Sequence, residues 1–139
     1  MATEAKPNEQ PGQRQRAALV TGGTSGIGLA IAQALLAEGC RVIATGLSED
    51  EAAAARREVP QLETSQLDVT DPDGIARLVD SLARLDILVN CAGTIARDGR
   101  EFEPEGFAQV IDVNLLGTQR MCAACQPLLA RQGGAIVNL

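Results

Sequence analysis

The sequence predicts an α/β fold built on a doubly wound parallel sheet, and two observations indicate it. Short apolar segments recur along the chain with a little over twenty residues between the starts of the first four, and helical patterns fill the intervals. The segment at 87–89 is continuously apolar rather than alternating, which is typical of a strand buried on both faces of a sheet. Helices that alternate with such strands cover the two faces of one sheet.

Five strands are predicted, at residues 17–21, 41–46, 62–67, 86–90 and 135–139. The helix after the first strand has apolar positions at helical spacing, and we expect them to form its buried face: Ile27, Ala30, Ile31, Ala34 and Leu35. Gly39 follows the last turn of this helix, at a position where helices commonly end.

Two further helices are predicted from the residues at their starts. Ser48 and Glu51 have the spacing of a capping box and precede a run of alanines. Pro72 directly after Asp71 favours the start of the next helix. The inner face of that helix is predicted to carry Ile75, Leu78, Val79 and Leu82.

A longer helical stretch is predicted from about residue 104 to residue 131. Its character changes at Gly106, Gly117 and Pro127. It carries more apolar positions than one sheet face requires: Phe107, Val110, Ile111, Leu115, Met121 and Leu128. We therefore expect part of this stretch to contact another protein surface.

The ends of the chain differ from its regular middle. Residues 1–15 are polar and lack periodicity, so we expect a disordered tail. Residues 16–139 are predicted to be the N-terminal part of a single domain. A last strand with no helix to cover it predicts a sheet that is incomplete at its C-terminal edge, and hence a longer protein. A short, self-contained binding module is the alternative. The 139 residues alone are expected to aggregate and to be inactive.

Composition excludes several classes of function. The chain has no His, which excludes catalytic centres that need an imidazole and zinc sites with a histidine ligand. Its net charge is −6 and its arginines are dispersed, so neither nucleic acid nor a membrane surface is predicted as a partner. No apolar run approaches the roughly 18 residues of a spanning helix, and the start lacks the apolar core of a signal peptide. A cytoplasmic protein is predicted.

The chain contains four cysteines, a residue type that binds metals and forms redox pairs. They are Cys40, Cys91, Cys122 and Cys125, and the last two form Cys-Ala-Ala-Cys. This spacing is compatible with a redox pair or half a metal site. However, no second close pair and no histidine completes a tetrahedral site, and apolar helical neighbours favour small buried residues. We predict no metal site.

A glycine-rich turn joins the first predicted strand to the first helix. Residues 21–28 are Thr-Gly-Gly-Thr-Ser-Gly-Ile-Gly, and their glycines allow a tight turn and close approach of a ligand to the backbone. The helix then presents free N–H groups and its positive dipole end to a phosphate. No lysine follows the glycines, which disfavours ATP hydrolysis. A pyrophosphate site is predicted at Gly22, Ser25, Ile27 and Gly28, with Thr24 and Gly26 as further ligand-binding residues of the same turn. A turn that merely connects two elements is the alternative.

Polar residues and a glycine lie where the third and fourth strands end. Asp68, Asn90 and Gly93 are at the edge where doubly wound sheets bind their ligands. For each residue, a purely local structural role is the alternative to ligand binding. Asp68 can cap a turn, and Asn90 and Gly93 can shape one. Asn114 lies in mid-helix, where asparagine is unfavourable. We expect its side chain to capture water or backbone at a kink.

Taken in order, these motifs resemble those of the short-chain dehydrogenase/reductase family. Residues 21–28 resemble the family's cofactor motif, and Asp68-Val69 resembles the pair that contacts adenine. Residues 90–93 resemble its Asn-Asn-Ala-Gly motif, with Cys91 in place of the second Asn, and residues 134–138 resemble its fifth strand. The resemblance covers residues 17–139 and implies a Rossmann-like fold. It places Asn90, Ala92 and Gly93 at the cofactor and Asn114 in a catalytic proton relay.

The resemblance also implies an activity. The family transfers hydride between NAD or NADP and an alcohol or carbonyl substrate, and forms homodimers or homotetramers through paired helices. Its catalytic Ser, Tyr and Lys follow the fifth strand, whereas this chain has no Tyr and only Lys6. A non-catalytic dinucleotide-binding or sensor module is therefore the alternative. Residues 46–48 supply neither the acid that selects NAD nor the base that selects NADP, so this choice stays open.

Overall fold

The computed structural model describes residues 14–139, and its centre is a five-stranded parallel sheet. The strands are β1 (Ala17–Thr21), β2 (Arg41–Gly46), β3 (Glu63–Gln66), β4 (Ile87–Asn90) and β5 (Ala135–Asn138). Their order in space is β3-β2-β1-β4-β5. From β1 the chain adds β2 and then β3 on one side of β1, and it then returns to add β4 and β5 on the opposite side of β1. This reversal creates a switch point at the carboxyl ends of β1 and β4, where such sheets bind ligands.

Helices cover both faces of the sheet. The helices are α1 (Gly26–Ala37), α2 (Glu49–Glu58), α3 (Pro72–Asp80), α4 (Pro104–Ile111) and α5 (Thr118–Gln132), and all except α4 contribute buried apolar residues to the two cores. One apolar core includes Leu29 and Ala32 of α1 and Ala55 of α2. The other includes Ile75 of α3 and Leu129 of α5. The predicted α/β, Rossmann-like fold with a doubly wound parallel sheet is confirmed.

The predicted starts of α2 and α3 are present. Ser48 Oγ accepts a hydrogen bond from Glu51 N at 3.2 Å. Asp71 caps α3 by accepting from Asp73 N at 3.1 Å, with Pro72 in the first turn. The second half of the capping box differs, because the Glu51 carboxylate accepts from Leu47 N at 2.9 Å. Glu51 therefore reaches one residue further back than the motif predicts.

The predicted buried face of α1 is wrong. Ile27, Ala30 and Ala34 are exposed, and the buried residues of the helix are Gly28, Leu29 and Ala32. Ile31 and Leu35 are only partly buried. Nearly every residue of this helix is apolar, so the spacing of apolar residues does not distinguish a buried face from an exposed one. Its orientation is set by Gly28, because only a residue without a side chain fits against the preceding turn.

The long helical stretch is three segments rather than one. α4 and α5 are separated by a π-helical segment, Asp112–Gly117, that the sequence did not predict. Pro127 lies inside α5, which continues through it. Met121, expected among the surplus apolar positions, is fully buried in the core, whereas Phe107 and Leu115 are exposed.

The predicted tail lies mostly outside the described residues, which begin at Arg14. Arg14 and Gln15 are exposed, and the Gln15 amide donates a hydrogen bond to Gly39 O at 3.1 Å. Among the helices of residues 14–139, none combines the length and apolar character that crossing a membrane requires.

Candidate functional site

An open cleft of about 610 Å³ lies over the carboxyl ends of the strands. Its volume is typical of a small-molecule site. Most of the predicted cofactor residues line it: Gly22, Thr24, Ser25, Gly26, Ile27, Gly28, Asp68, Val69, Ala92 and Gly93. The structure adds Leu47, Glu51 and Thr94, which are not among the site residues predicted from the sequence. Leu47 directly follows β2 and Thr94 directly follows residues 90–93, so their positions at strand ends were an available signal, whereas Glu51 reaches the cleft only through the packing of α2.

The glycine-rich turn is shaped for a ligand that approaches the backbone. Gly22 and Gly26 have φ values of 63° and 53°, in the left-handed region that favours glycine. A Cβ on Gly28 would overlap the carbonyl oxygen of Gly22, so α1 begins directly against the turn. Ser25, the N-cap of α1, makes no side-chain cap hydrogen bond. The N–H groups of the first helical turn therefore remain available to an anion.

Thr21 joins the glycine-rich turn to the segment after β4. Its side chain is buried, and its Oγ1 accepts hydrogen bonds from Cys91 N and Ala92 N, each at 3.1 Å. A Cβ on Gly22 would lie 2.9 Å from Ala92 Cα. The two walls of the cleft at β1 and β4 are thus in direct contact.

We expect Thr21→Val to loosen this junction. Valine has the same shape but accepts no hydrogen bond, so two backbone N–H groups lose their partner, at a cost of roughly 1–3 kcal/mol for each that stays buried. Urea unfolding of the intact protein measures the loss. Thr21→Ser keeps the acceptor and is the matched control. Equal stability of the valine and serine variants would show that Thr21 does not hold the junction.

Asp68 occupies the rim of the cleft in a local turn. Its Oδ1 accepts from Thr70 N at 2.8 Å and from Thr70 Oγ1 at 2.7 Å. The local capping alternative is therefore present in the structure. Asp68 and Val69 nevertheless line the cleft at the end of β3, and their contact with adenine stays a prediction.

Asn90 differs from the other predicted cofactor residues because it does not line the cleft. Its side chain is buried, and its Nδ2 donates to Asn138 Oδ1 at 2.8 Å, across the register between β4 and β5. Its Oδ1 is buried without a hydrogen-bond partner among residues 14–139. In the structure Asn90 joins two strands, and a role at the cofactor stays a prediction.

Asn114 captures backbone at an irregular helical turn, one of the two outcomes predicted for it. Its Oδ1 accepts from Thr94 N at 2.8 Å, and its Nδ2 donates to Thr94 O at 2.9 Å. Thr118 Oγ1 donates to the Asn114 carbonyl at 2.9 Å. π-helical turns such as this one frequently occur at functional sites. Thr94 lines the cleft. Asn114 therefore fixes the backbone of a cleft-lining residue in the segment after β4.

Two of the cysteines, Cys91 and Cys125, have thiols whose pKa is raised. Cys91 lines the cleft, but burial raises the pKa of its thiol. Burial, and then the neighbouring Cys122, raise the pKa of Cys125 to about 12. Both thiols are therefore protonated at neutral pH and inert as nucleophiles. No group of three metal-binding side chains is present in residues 14–139.

Among the described residues, the charged side chains that line the cleft are all acidic. Glu51, Asp68 and Asp112 line it, and no Arg or Lys of residues 14–139 does so. Asp112 is paired with Arg120 of α5 at 2.7 Å. A phosphate group in this cleft would rely on backbone N–H groups and on the dipole of α1.

Comparison with known proteins identifies the family. The model of the short chain dehydrogenase family matches residues 16–139. The chain belongs to this family. It is 40% identical over 131 residues to acetoacetyl-CoA reductase of Rhizobium meliloti, covering 89% of this chain and 54% of that protein. It is 35% identical over 131 residues to 3beta-hydroxysteroid dehydrogenase of Mediterraneibacter gnavus, covering 87% and 48%.

Solved structures agree with this assignment. A crystal structure of a variant of actinorhodin polyketide ketoreductase with NADPH superimposes with a TM-score of 0.82 at 32% identity. The match covers 89% of this chain and 52% of that chain. The chain thus spans about half the length of the relatives that it matches.

Proposed function

We propose that the intact protein is an oxidoreductase that transfers hydride between NAD or NADP and a small alcohol or carbonyl compound. The observation that carries this proposal is the start of α1, which has no side-chain cap and lies against the glycine-rich turn at the switch point of the sheet. The chain belongs to the short chain dehydrogenase family, which agrees with this observation. The family implies a nicotinamide dinucleotide. Residues 16–139 would form the N-terminal part of its binding domain.

The residues of the cleft fit a dinucleotide. Gly22, Ser25 and the first turn of α1 would hold the pyrophosphate through backbone N–H groups. Asp68 and Val69 lie at the end of β3, where an adenine ring would contact them. Ala92 and Gly93 line the opposite end, beyond β4. Bound there, the cofactor would supply hydride chemistry, and the protein would orient it and exclude water.

Proton transfer needs groups other than those described. Residues 14–139 contain neither Tyr nor Lys, so the proposal requires the family's Ser, Tyr and Lys from elsewhere in the intact protein. Asn114 contributes by fixing Thr94, which lines the cleft. A second candidate function is a dinucleotide-binding or sensor module without turnover, because the contacts proposed for the described cleft are with the cofactor alone.

One assay separates the two functions. The intact protein is incubated with NADH or NADPH and a panel of small ketones and aldehydes, and oxidation of the reduced nicotinamide is followed by absorbance. The proposal predicts turnover with at least one carbonyl compound. Dinucleotide binding without any turnover supports the sensor module instead. Acetoacetyl-CoA and a 3-ketosteroid belong in the panel, since one relative is named as a reductase of the former and another as a dehydrogenase of 3beta-hydroxysteroids, whose oxidation gives a 3-ketosteroid.

We also propose a homodimer or homotetramer in the cytoplasm, as predicted from the sequence. Phe107 and Leu115 are 62% and 58% exposed, and both lie in the stretch from α4 to α5. Burying them in a symmetric interface would remove this apolar area from water. Light scattering of the intact protein at micromolar concentration is expected to give at least twice the monomer mass. A monomer mass contradicts the assembly without affecting the proposed activity.

A further inference from the structure

The carboxyl end of β2 lies where one part of the dinucleotide must sit, if the proposed function holds. In the sheet, β2 separates β1 from β3. β1 leads into the glycine-rich turn proposed to hold pyrophosphate, and β3 leads to Asp68 and Val69. In the cofactor, a ribose joins the pyrophosphate to adenine. The hydroxyl groups of that ribose are therefore expected over the end of β2, where NADP carries its additional phosphate.

The end of β2 carries no acid or base of its own, but a carboxylate reaches it from α2. Glu51 lies in the first turn of α2 and lines the cleft. Its Oε2 accepts a hydrogen bond from Leu47 N at 2.9 Å. The same oxygen lies 2.9 Å from the position that a Cβ on Gly46 would take. The carboxylate is thus folded back over the last residue of the strand.

Gly46 is the residue that allows this arrangement. A Cβ at position 46 would collide with Thr24 Oγ1 and crowd Glu51. Leu47 is held from the other side, because the Gln66 amide donates to its carbonyl at 2.8 Å. A glycine at the strand end thus leaves room for an acid that comes from five residues later in the sequence.

The remaining oxygen of Glu51 is available to a ligand. Oε1 accepts no hydrogen bond within residues 14–139, and Arg56 of the same helix pairs with Glu49 instead. A ribose hydroxyl at this place can donate to the carboxylate. A phosphate would face Glu51 without a counter-ion, since the part of the cleft that the structure describes contains no Arg or Lys. Such like-charge contacts are strongly unfavourable at an interface.

We propose that Glu51 binds the adenosine ribose and selects NAD over NADP. Hydrogen bonds to charged groups contribute about 1.5–3 kcal/mol, which corresponds to roughly 10–150-fold in affinity. We therefore expect the intact protein to bind the unphosphorylated cofactor at least about tenfold more tightly than the phosphorylated one.

Calorimetric titration of the intact protein tests this inference without relying on turnover. The probes are ADP-ribose and 2′-phospho-ADP-ribose, which lack the nicotinamide, together with NADH and NADPH. Glu51→Gln keeps an oxygen that accepts from Leu47 N but removes the charge. Asp50→Asn removes the same charge from the same exposed helical turn, and Asp50 does not line the cleft. We expect Glu51→Gln to reduce the preference about tenfold, and Asp50→Asn to leave it unchanged.

The outcomes separate this inference from the proposed function. Equal or tighter binding of the phosphorylated probes by the wild-type protein overturns the role of Glu51 and leaves the oxidoreductase proposal intact. The same conclusion follows if Glu51→Gln melts like the wild type and keeps the full preference. Failure of the wild type to bind any of the four probes overturns the dinucleotide site itself.

Discussion

Replacing Gly28 with alanine is expected to weaken dinucleotide binding by the intact protein about 10–100-fold. A Cβ at this position would overlap the carbonyl oxygen of Gly22, which is backbone and has no rotamer to change. The strain of such overpacking is about 1–3 kcal/mol. It is relieved only by moving α1 away from the turn, which displaces the N–H groups proposed to hold the pyrophosphate. Titration with NADH measures the effect.

Gly74→Ala is the matched control for this variant. Gly74 also lies inside a helix, α3, but a Cβ there meets the side chain of Asp71, which caps α3, and no backbone atom of the glycine-rich turn. Gly74→Ala is therefore expected to bind the cofactor like the wild-type protein. Wild-type affinity in Gly28→Ala, with an unchanged fold, would contradict the assignment of this turn.

Replacing Asn114 with alanine is expected to lower kcat about tenfold or more. Both polar atoms of the side chain bind the backbone of Thr94, and the substitution removes both bonds, at about 0.5–1.5 kcal/mol each. Thr94 lines the cleft, so its segment becomes free to shift. Misplacement by about 1 Å can reduce a rate roughly a hundredfold. Steady-state kinetics of the intact protein gives kcat and KM separately.

Gln126→Ala provides the comparison for Asn114→Ala, because Gln126 is an exposed amide residue on the adjoining helix α5. It is expected to leave kcat unchanged. In Asn114→Ala, hydrogen exchange at the Thr94 amide is expected to accelerate, which a change confined to helix stability does not produce. Slow exchange at Thr94 together with normal kcat would show that Asn114 does not hold this segment.

Local signals in the sequence were sufficient for much of the architecture. The five strands, the capped starts of α2 and α3, and the glycine-rich turn each follow from a few adjacent residues. Their physical causes are local, because caps and tight turns depend on neighbouring backbone atoms.

Features that depend on distant contacts were not predictable in this way. The face of α1 was assigned wrongly because nearly every residue of that helix is apolar, and the contact of Gly28 with Gly22 decides its orientation. The contact of Thr21 with the segment after β4 spans 70 residues or more. The sequence predicts only a capping role for Glu51. The packing of α2 beside β2 brings its carboxylate to the cleft.

A crystal structure of the intact protein with NADH tests the central claim most directly. We expect pyrophosphate oxygens within hydrogen-bond distance of the N–H groups in the first turn of α1, next to Gly22 and Ser25. We also expect adenine at Asp68 and Val69. A dinucleotide bound elsewhere, or a cleft without the cofactor at a concentration that saturates activity, would contradict this assignment of the cleft.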